Sequence, residues 1–387
     1  MKILHISPYV PSINASHAGG VCMGKEVETL KEKHDVYILS FCNDNKEEKI
    51  IQREYMDNRS TFIKSTKFTK IINTLLHLNK PNYFAIRSSI TFTIKLLRVI
   101  KKYDIEVIHA EYTSMAQYYW VKKIFPSLKF NIVEHDVTIQ SYDRKKKEAT
   151  GIAKIYQNWQ RMLVHKREKK YCNEADIVFT LNHKDKELLK KVYNISEPIV
   201  LIPYYGVDFT KNETRNIDKI KNSICFVGQM GRIENFQAAM RLIEIFKTLD
   251  SKFLLTIIGA YPPESLQNCE CENIHITGFV DDIEEEILKH QVAVFPLELG
   301  AGIKLKVLLA FGLGLPVITT SIGAEGIDEE GNVLILAEND KQIKQRIVKL
   351  FEDENEIKLL SEKSKEFVKK NFSWDISKKI FEKVYKI

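Results

Sequence analysis

The sequence predicts an α/β protein of two doubly wound, Rossmann-like domains that face each other across a cleft. Three observations predict it. The chain has 387 residues, more than one ordinary hydrophobic core serves, so two domains are expected. Short apolar runs with strand character alternate with amphipathic helical runs, the pattern of a parallel sheet covered by helices. That alternation starts afresh near residue 223, after a Pro- and Gly-containing stretch at 203–208 that reads as a linker. Sheets of this kind hold ligands beyond the carboxyl ends of their strands.

Taken in order, residues 2–7 form the first apolar strand. A loop carrying Pro8, Pro11, Gly19 and Gly20 follows, then a helix at 25–33 and a strand at 36–41. After a variable polar stretch, 90–102 is an amphipathic helix, and 107–110 and 130–134 are buried strands. A long charged helix at 159–173, a strand at 177–181, a helix at 184–193 and a strand at 199–202 complete the first half. The second half opens with a strand at 223–228, a helix at 236–249 and a strand at 254–259. Segments 274–277, 283–289, 293–296, 305–312 and 317–320 continue the alternation. The expected boundaries are 1–205 for the first domain and 206–371 for the second. The closing amphipathic helix within 372–387 is expected to pack back on the first domain.

Composition narrows the class. Hydrophobic residues make up 44% and charged residues 28%, a globular balance rather than a disordered one. The uncharged stretch 307–324 is long enough to suggest a membrane span, but Gly312, Gly314 and Pro316 divide it into helix, turn and strand. No signal sequence is visible after Met1, and the six cysteines are scattered. Cys269 and Cys271 lack zinc-finger spacing and a second pair. Reduced thiols and a cytoplasmic location are expected. The net charge of +7 is uneven: residues 1–210 hold roughly 34 Lys and Arg against 23 Asp and Glu, leaving about −4 for the remainder. The basic half fits an anionic partner, such as an acidic membrane surface or a phosphorylated acceptor, or a solvated lysine-rich surface. The basic run at 144–147, read as a loop, carries the same two alternatives and allows peripheral contact with an anionic membrane on its inner face. Nucleic acid is not an expected partner, because no aromatic-basic module accompanies the charge.

The richest segment for chemistry runs from Phe295 to Gly326. A strand ends at Pro296, a loop with Gly300 and Gly302 follows, and a helix opens. Free N–H groups at a helix start bind phosphate oxygens, and glycines let the backbone approach them. Lys304 and Lys306 place cations where a diphosphate would lie and where its leaving charge would need stabilising.

This segment resembles the retaining glycosyltransferases of family 4 (glycosyl transferases group 1), which have the GT-B fold. The matching residues are Gly300, Gly302, Lys304, Lys306, Pro316, Val317, Thr320, Gly323, Ala324, Glu325 and Gly326. Ile202 to Asp208, Phe226 to Met230 with Asn235, and Thr277 to Asp282 resemble the same family in order. So do Glu111-Tyr112 with Ala116-Gln117-Tyr118, then Glu134-His135-Asp136, and Glu168 with Ala175-Asp176. Residues 43–87 fall outside the resemblance.

The resemblance implies a role for each matched residue. Gly19 and Gly20 form a glycine loop that faces the donor phosphates or the transferred sugar. His135 touches that sugar or the acceptor, and Glu111, following a strand, reaches the cleft or packs. Lys304, Lys306 and the N–H groups of Gly302 and Ile303 hold the diphosphate, assisted by Gly300. Phe279 and Val280 frame the base, and Gly228, Arg232 and Asn235 form the second domain's first strand–turn–helix. His109 belongs to its strand. No cofactor and no metal are implied, and Asp281-Asp282 reads as a helix cap.

Two departures stand out. The family's ribose-binding glutamate is Leu309 here, with Glu325 and Glu298 as candidate substitutes, and its partner position is Ala301. The usual Arg and Lys after the second domain's first strand are Gln229 and Glu234, with Arg232 as candidate replacement. The implied activity is transfer of a sugar from a nucleoside-diphosphate sugar to a glycan, lipid-linked or protein acceptor, with retention, in bacterial surface glycoconjugate synthesis. Domain closure would exclude water. The alternative is a catalytically impaired member that binds an acceptor or a partner enzyme. A nucleotide-sugar 2-epimerase lacks its carboxylates here. A nicotinamide dehydrogenase lacks Gly-x-Gly-x-x-Gly after the first strand.

Overall fold

The computed structural model describes all residues except 16, 196–198, 202–216, 301–302 and 386–387, and leaves out the side chains of residues 18 and 148. The linker at 203–208, Ala301 and Gly302 therefore lie outside the described residues. The chain divides into two compact units: Met1–Tyr204 with Ser377–Ile387, and Tyr205–Ile376.

The first unit holds a seven-stranded parallel sheet. Its strands are β1 (Lys2–Ser7), β2 (Asp35–Cys42), β3 (Ser60–Lys64), β4 (Val107–Glu111), β5 (Lys129–Glu134), β6 (Ile177–Thr180) and β7 (Ile199–Leu201). Their order is β3-β2-β1-β4-β5-β6-β7. The order reverses between β1 and β4, which pair from Ile3↔Val107 to Ile6↔Ala110. These strands are buried on both faces, which is why they read as apolar runs rather than alternating ones.

The second unit repeats the design. Its strands are β8 (Ser223–Val227), β9 (Leu254–Ile258), β10 (Ile274–Gly278), β11 (Val292–Phe295), β12 (Val317–Thr319) and β13 (Ile335–Leu336). The order is β10-β9-β8-β11-β12-β13, reversing between β8 and β11. Its core centres on Phe226, Phe246, Phe295 and Phe311. The uncharged stretch 307–324 resolves into the helix Leu305–Gly312, a turn at Gly314 with φ +81° and β12. No helix of the described residues is long and apolar enough to cross a membrane.

Three expectations need correction. Gly19 and Gly20 do not lie in a loop: the helix begins at Ala18 and runs to Lys31, because His17 caps it by accepting from Gly20 N through Nδ1 at 3.1 Å. The basic run 144–147 is likewise helical, in the last turns of Thr138–Glu148. The variable stretch contains β3 and the helices Asn45–Glu54, Lys67–Leu76 and Asn82–Ala85. The last helix, Trp374–Val384, brings Phe381 against Phe179, and Tyr385 follows it to reach His109.

Candidate functional site

In each unit the chemistry gathers where the strand order reverses, at the carboxyl ends of the central strands. In the first unit, β4 ends on Glu111 and β5 on Glu134, with His135 next. Glu111 is fully buried and bridges two imidazoles. Its Oε2 lies 2.7 Å from His135 Nε2 and its Oε1 3.0 Å from His5 Nε2. Burial pushes the Glu111 carboxyl up, but hydrogen bonds and charge from His135 and His5 outweigh it and hold it well below the usual range. Glu111 is thus an anion whose oxygens fix the His135 ring.

Tyr112 completes the clamp. It stacks on His135 with centroids 3.7 Å apart and planes 4° from parallel. Its backbone has φ +66°, a left-handed conformation that costs a bulky residue about 1–3 kcal/mol. Strain of that kind persists where the surroundings over-determine it, here through Tyr112 N donating to Val133 O at 2.9 Å. Gly19 matters for the same reason: a Cβ there would sit 1.9 Å from the Tyr112 hydroxyl oxygen. Gly20 packs on Ala15. Both glycines serve close packing around Tyr112 and His17.

Beneath the clamp lies a second buried pair that sequence reasoning missed. His109 Nε2 is 2.5 Å from Glu26 Oε1, and His109 Nδ1 meets the Tyr385 hydroxyl. Burial raises Glu26 to about 8. For His109, burial lowers the pKa but the Glu26 charge more than reverses it. The signal was an acid on the apolar face of its helix, between Cys22, Met23 and Leu30. Among the described residues, His5, Glu26 and Glu111 could group ligand atoms within 4.8 Å of one another for a metal. In the structure Glu111 links His5 and His135, and Glu26 pairs with His109.

A third cluster fixes the chain after His135. Glu168 accepts from Thr138 N at 2.6 Å, Ile139 N at 3.1 Å and the Tyr193 hydroxyl. Glu134 accepts from Thr113, and burial with the Glu168 charge raises its carboxyl well above the usual range.

In the second unit, Gly228 follows β8, and a Cβ there would lie 2.8 Å from Asn235 Cγ. The glycine lets Asn235 lie across the strand end, donating to Gln229 O at 2.9 Å. Asn235 Oδ1 in turn accepts from Lys306 Nζ. After β11, Gly300 has φ +134°, a conformation open to glycine, and a Cβ there would strike Lys304 Cε at 2.8 Å. The helix Leu305–Gly312 then starts with Lys304 at its N-cap. Lys304 is buried and paired with Glu325 at 3.1 Å. Burial pushes the Lys306 ammonium down to about 8; Glu234 opposes this, while Lys304 and Arg232 add repulsion. One buried and one half-buried cation thus stand at the start of a helix whose first N–H groups point the same way.

The remaining assigned residues sort themselves. Ile303 and Leu309 pack half-buried against the second core. Leu309 offers no acceptor for a hydroxyl. Glu325 lies close to Lys304, whereas Glu298 pairs with Arg241 at 3.3 Å. Arg232 is exposed and faces Glu234 at 3.7 Å. Phe279 is 75% exposed, and Val280 leans on the core. Asp282 caps the helix Ile283–Leu288, accepting from Glu285 N at 3.0 Å.

Comparison with known proteins places this arrangement. The family described as Glycosyltransferase Family 4 matches residues 27–210, and that described as Glycosyl transferases group 1 matches residues 221–353. The chain belongs to the family 4 glycosyltransferases. An uncharacterized glycosyltransferase of Methanocaldococcus jannaschii is 28% identical over 233 residues, spanning 55% of this chain and 58% of that one. Among solved structures, sucrose-phosphate synthase of Thermosynechococcus elongatus gives a TM-score of 0.72 at 14% identity, covering 100% of this chain and 98% of that one. HepE of Anabaena in complex with UDP and glucose gives 0.69 at 12%, covering both chains fully. A glycosyltransferase of Rickettsia africae gives 0.65 at 17%, covering 100% and 97%. At these identities the likeness is one of fold, and that fold is GT-B.

Proposed function

We propose that this family 4 glycosyltransferase moves a sugar from a nucleoside-diphosphate sugar to a glycan, lipid-linked or protein acceptor, with retention of anomeric configuration. One observation carries the reading. Lys304 is buried and Lys306 half-buried at the carboxyl edge of the second sheet, and Lys306 is pushed down to about 8. A cation pair at a helix start suits a diphosphate.

In the proposed step the bond from the sugar's anomeric carbon to the diphosphate oxygen breaks, and the electron pair leaves on that oxygen. Lys304, Lys306 and the N–H groups at the helix start stabilise the charge. The acceptor hydroxyl oxygen bonds to the anomeric carbon from the same face, and its proton passes to the leaving phosphate. The two lysines supply positive charge there, and the resemblance implies no metal. The resemblance assigns His135 to the sugar or acceptor, with Glu111 and Tyr112 holding its ring. Retention and a role in bacterial surface glycoconjugate synthesis on the cytoplasmic side rest on the resemblance alone.

Because HepE is described in complex with UDP and with UDP-glucose, uridine donors come first in the test. The protein is incubated with UDP-, GDP- and ADP-sugars, and released nucleoside diphosphate is measured with and without acceptor extracts. The reading expects release from one donor class, lost in Lys304→Ala. Release from none, with the wild type folded, favours the second reading that Leu309 supports: a member that binds without turnover.

A further inference from the structure

The helix Lys67–Leu76 has no buried residue. Phe68 is 71% exposed and Leu75 64%, with Ile71, Ile72 and Leu76 beside them and Leu78 just beyond. Short helices are marginal on their own and normally owe their stability to a packed apolar face. The long helix Gly151–Glu174 shows a matching stripe. Ile152, Ile155, Tyr156, Trp159 and Met162 recur at helical spacing, with Ile152 86% and Ile155 72% exposed.

Hydrogen bonds join the chain just after the first helix to the second helix. Asn82 Nδ2 donates to the Tyr156 hydroxyl at 2.6 Å, Asn82 N to Gln160 Oε1 at 2.9 Å, and Arg167 to Asn79 O at 3.1 Å. The first helix follows β3 and the second follows β5 by way of the helix Thr138–Glu148, so both lie in connections that leave the carboxyl edge of the sheet, the edge on which Glu111 and His135 lie.

Charge says what covers the patch. Between Asp57 and Asp104 the chain has ten Lys or Arg and no Asp or Glu. Two cavities flank the apolar residues. One, of about 260 Å³, is lined by Lys80, His77, Ile90 and Trp120. The other, of about 470 Å³, is lined by Trp159, Lys166, Arg167 and Lys170. Apolar and aromatic residues ringed by cations, with no acid among them, match the boundary between lipid tails and anionic headgroups.

We propose that the first unit docks on an anionic lipid membrane through the exposed faces of the helices Lys67–Leu76 and Gly151–Glu174. The docking stands without the transferase reading. Joined to that reading, it makes the acceptor lipid-anchored, delivered at the edge that carries His135.

The test is flotation of the full chain with phosphatidylcholine vesicles, with and without phosphatidylglycerol. The protein is expected to float with the anionic vesicles and to release at high salt. The triple variant Phe68→Ser, Leu75→Ser, Leu76→Ser should bind at least about tenfold more weakly. Lys166→Ala with Lys170→Ala should lose about fivefold per charge. All these side chains lie on the surface, so melting temperatures should be unchanged. Brominated lipid should quench wild-type tryptophan fluorescence, and quench it less in Trp159→Phe, where Trp120 remains beside the face. Equal binding to neutral and anionic vesicles, or undiminished binding by the triple variant, overturns the proposal. So does a wild-type dimer that the triple variant dissociates, which would give the face to a second copy of the chain. Vesicle binding needs no nucleotide, so its failure and a failure to bind donor are separate results.

Discussion

Replacing Lys306 with Met should make the protein more stable and a poorer binder of nucleoside diphosphate. Burial holds the Lys306 ammonium at about 8 against its ordinary 10.5. A 2.5-unit depression corresponds to about 3 kcal/mol of charge penalty in the folded state. The unfolded chain binds the extra proton between those two values. The penalty is therefore complete below pH 8, and wild-type stability rises with pH from 8 towards 10.5. Met removes the penalty but leaves Asn235 Oδ1 without its Lys306 donor, a loss of about 1 kcal/mol. The net gain near neutral pH is about 2 kcal/mol, shrinking as pH rises. Binding should run the other way. A diphosphate needs Lys306 charged, and at about pH 9 only about a tenth of it is, so affinity should fall about tenfold from its neutral value. Above about pH 7.5 the phosphate is already fully ionised and adds no slope. Calorimetry across that range, with melting curves at each pH, reads both effects. A Lys306→Met protein that melts below wild type at neutral pH, together with pH-independent wild-type affinity, would refute the reasoning.

Other substitutions probe the first unit. Glu168→Ala strips the acceptor from two backbone N–H groups and Tyr193, so unfolding free energy should drop by about 3 kcal/mol in denaturant melts. Gly19→Ala drives a methyl into the Tyr112 hydroxyl and should cost about 1–3 kcal/mol, with a change in near-ultraviolet circular dichroism as Tyr112 leaves His135. Glu26 binds a proton more tightly folded than unfolded, so it withdraws stability as pH climbs from about 4.5 to about 8. Glu26→Gln should flatten the stability profile over that window, read as melting temperature against pH.

The sequence made the sheets legible because their central strands are continuous apolar runs, as at β1 and β8. The glycine and lysine pattern from Gly300 to Lys306 marked the second unit's strand-order reversal. What stayed hidden depended on contacts remote in sequence. Gly19 and Gly20 look like a loop until His17 is seen to cap a helix and Tyr112 to press against them. β3 is five residues with little burial, paired only with β2, and its helix Lys67–Leu76 buries nothing. His109 reads as a strand histidine because its partners, Glu26 and Tyr385, come from the first and last helical stretches of the chain. Leu309 was legible as a departure, and its packing against the core is a consequence of that same change.

The central claim is that Lys304 and Lys306 hold a nucleoside diphosphate. The most direct test is thermal stabilisation of the wild type by UDP, GDP, ADP, CMP and dTDP, with Lys304→Ala alongside. A ligand at a hundred times its dissociation constant adds about 2.7 kcal/mol, which a melting curve resolves. The account predicts a shift with one nucleoside diphosphate, absent in Lys304→Ala. A wild type that shifts with none of the five, or a shift that survives in Lys304→Ala, would contradict it.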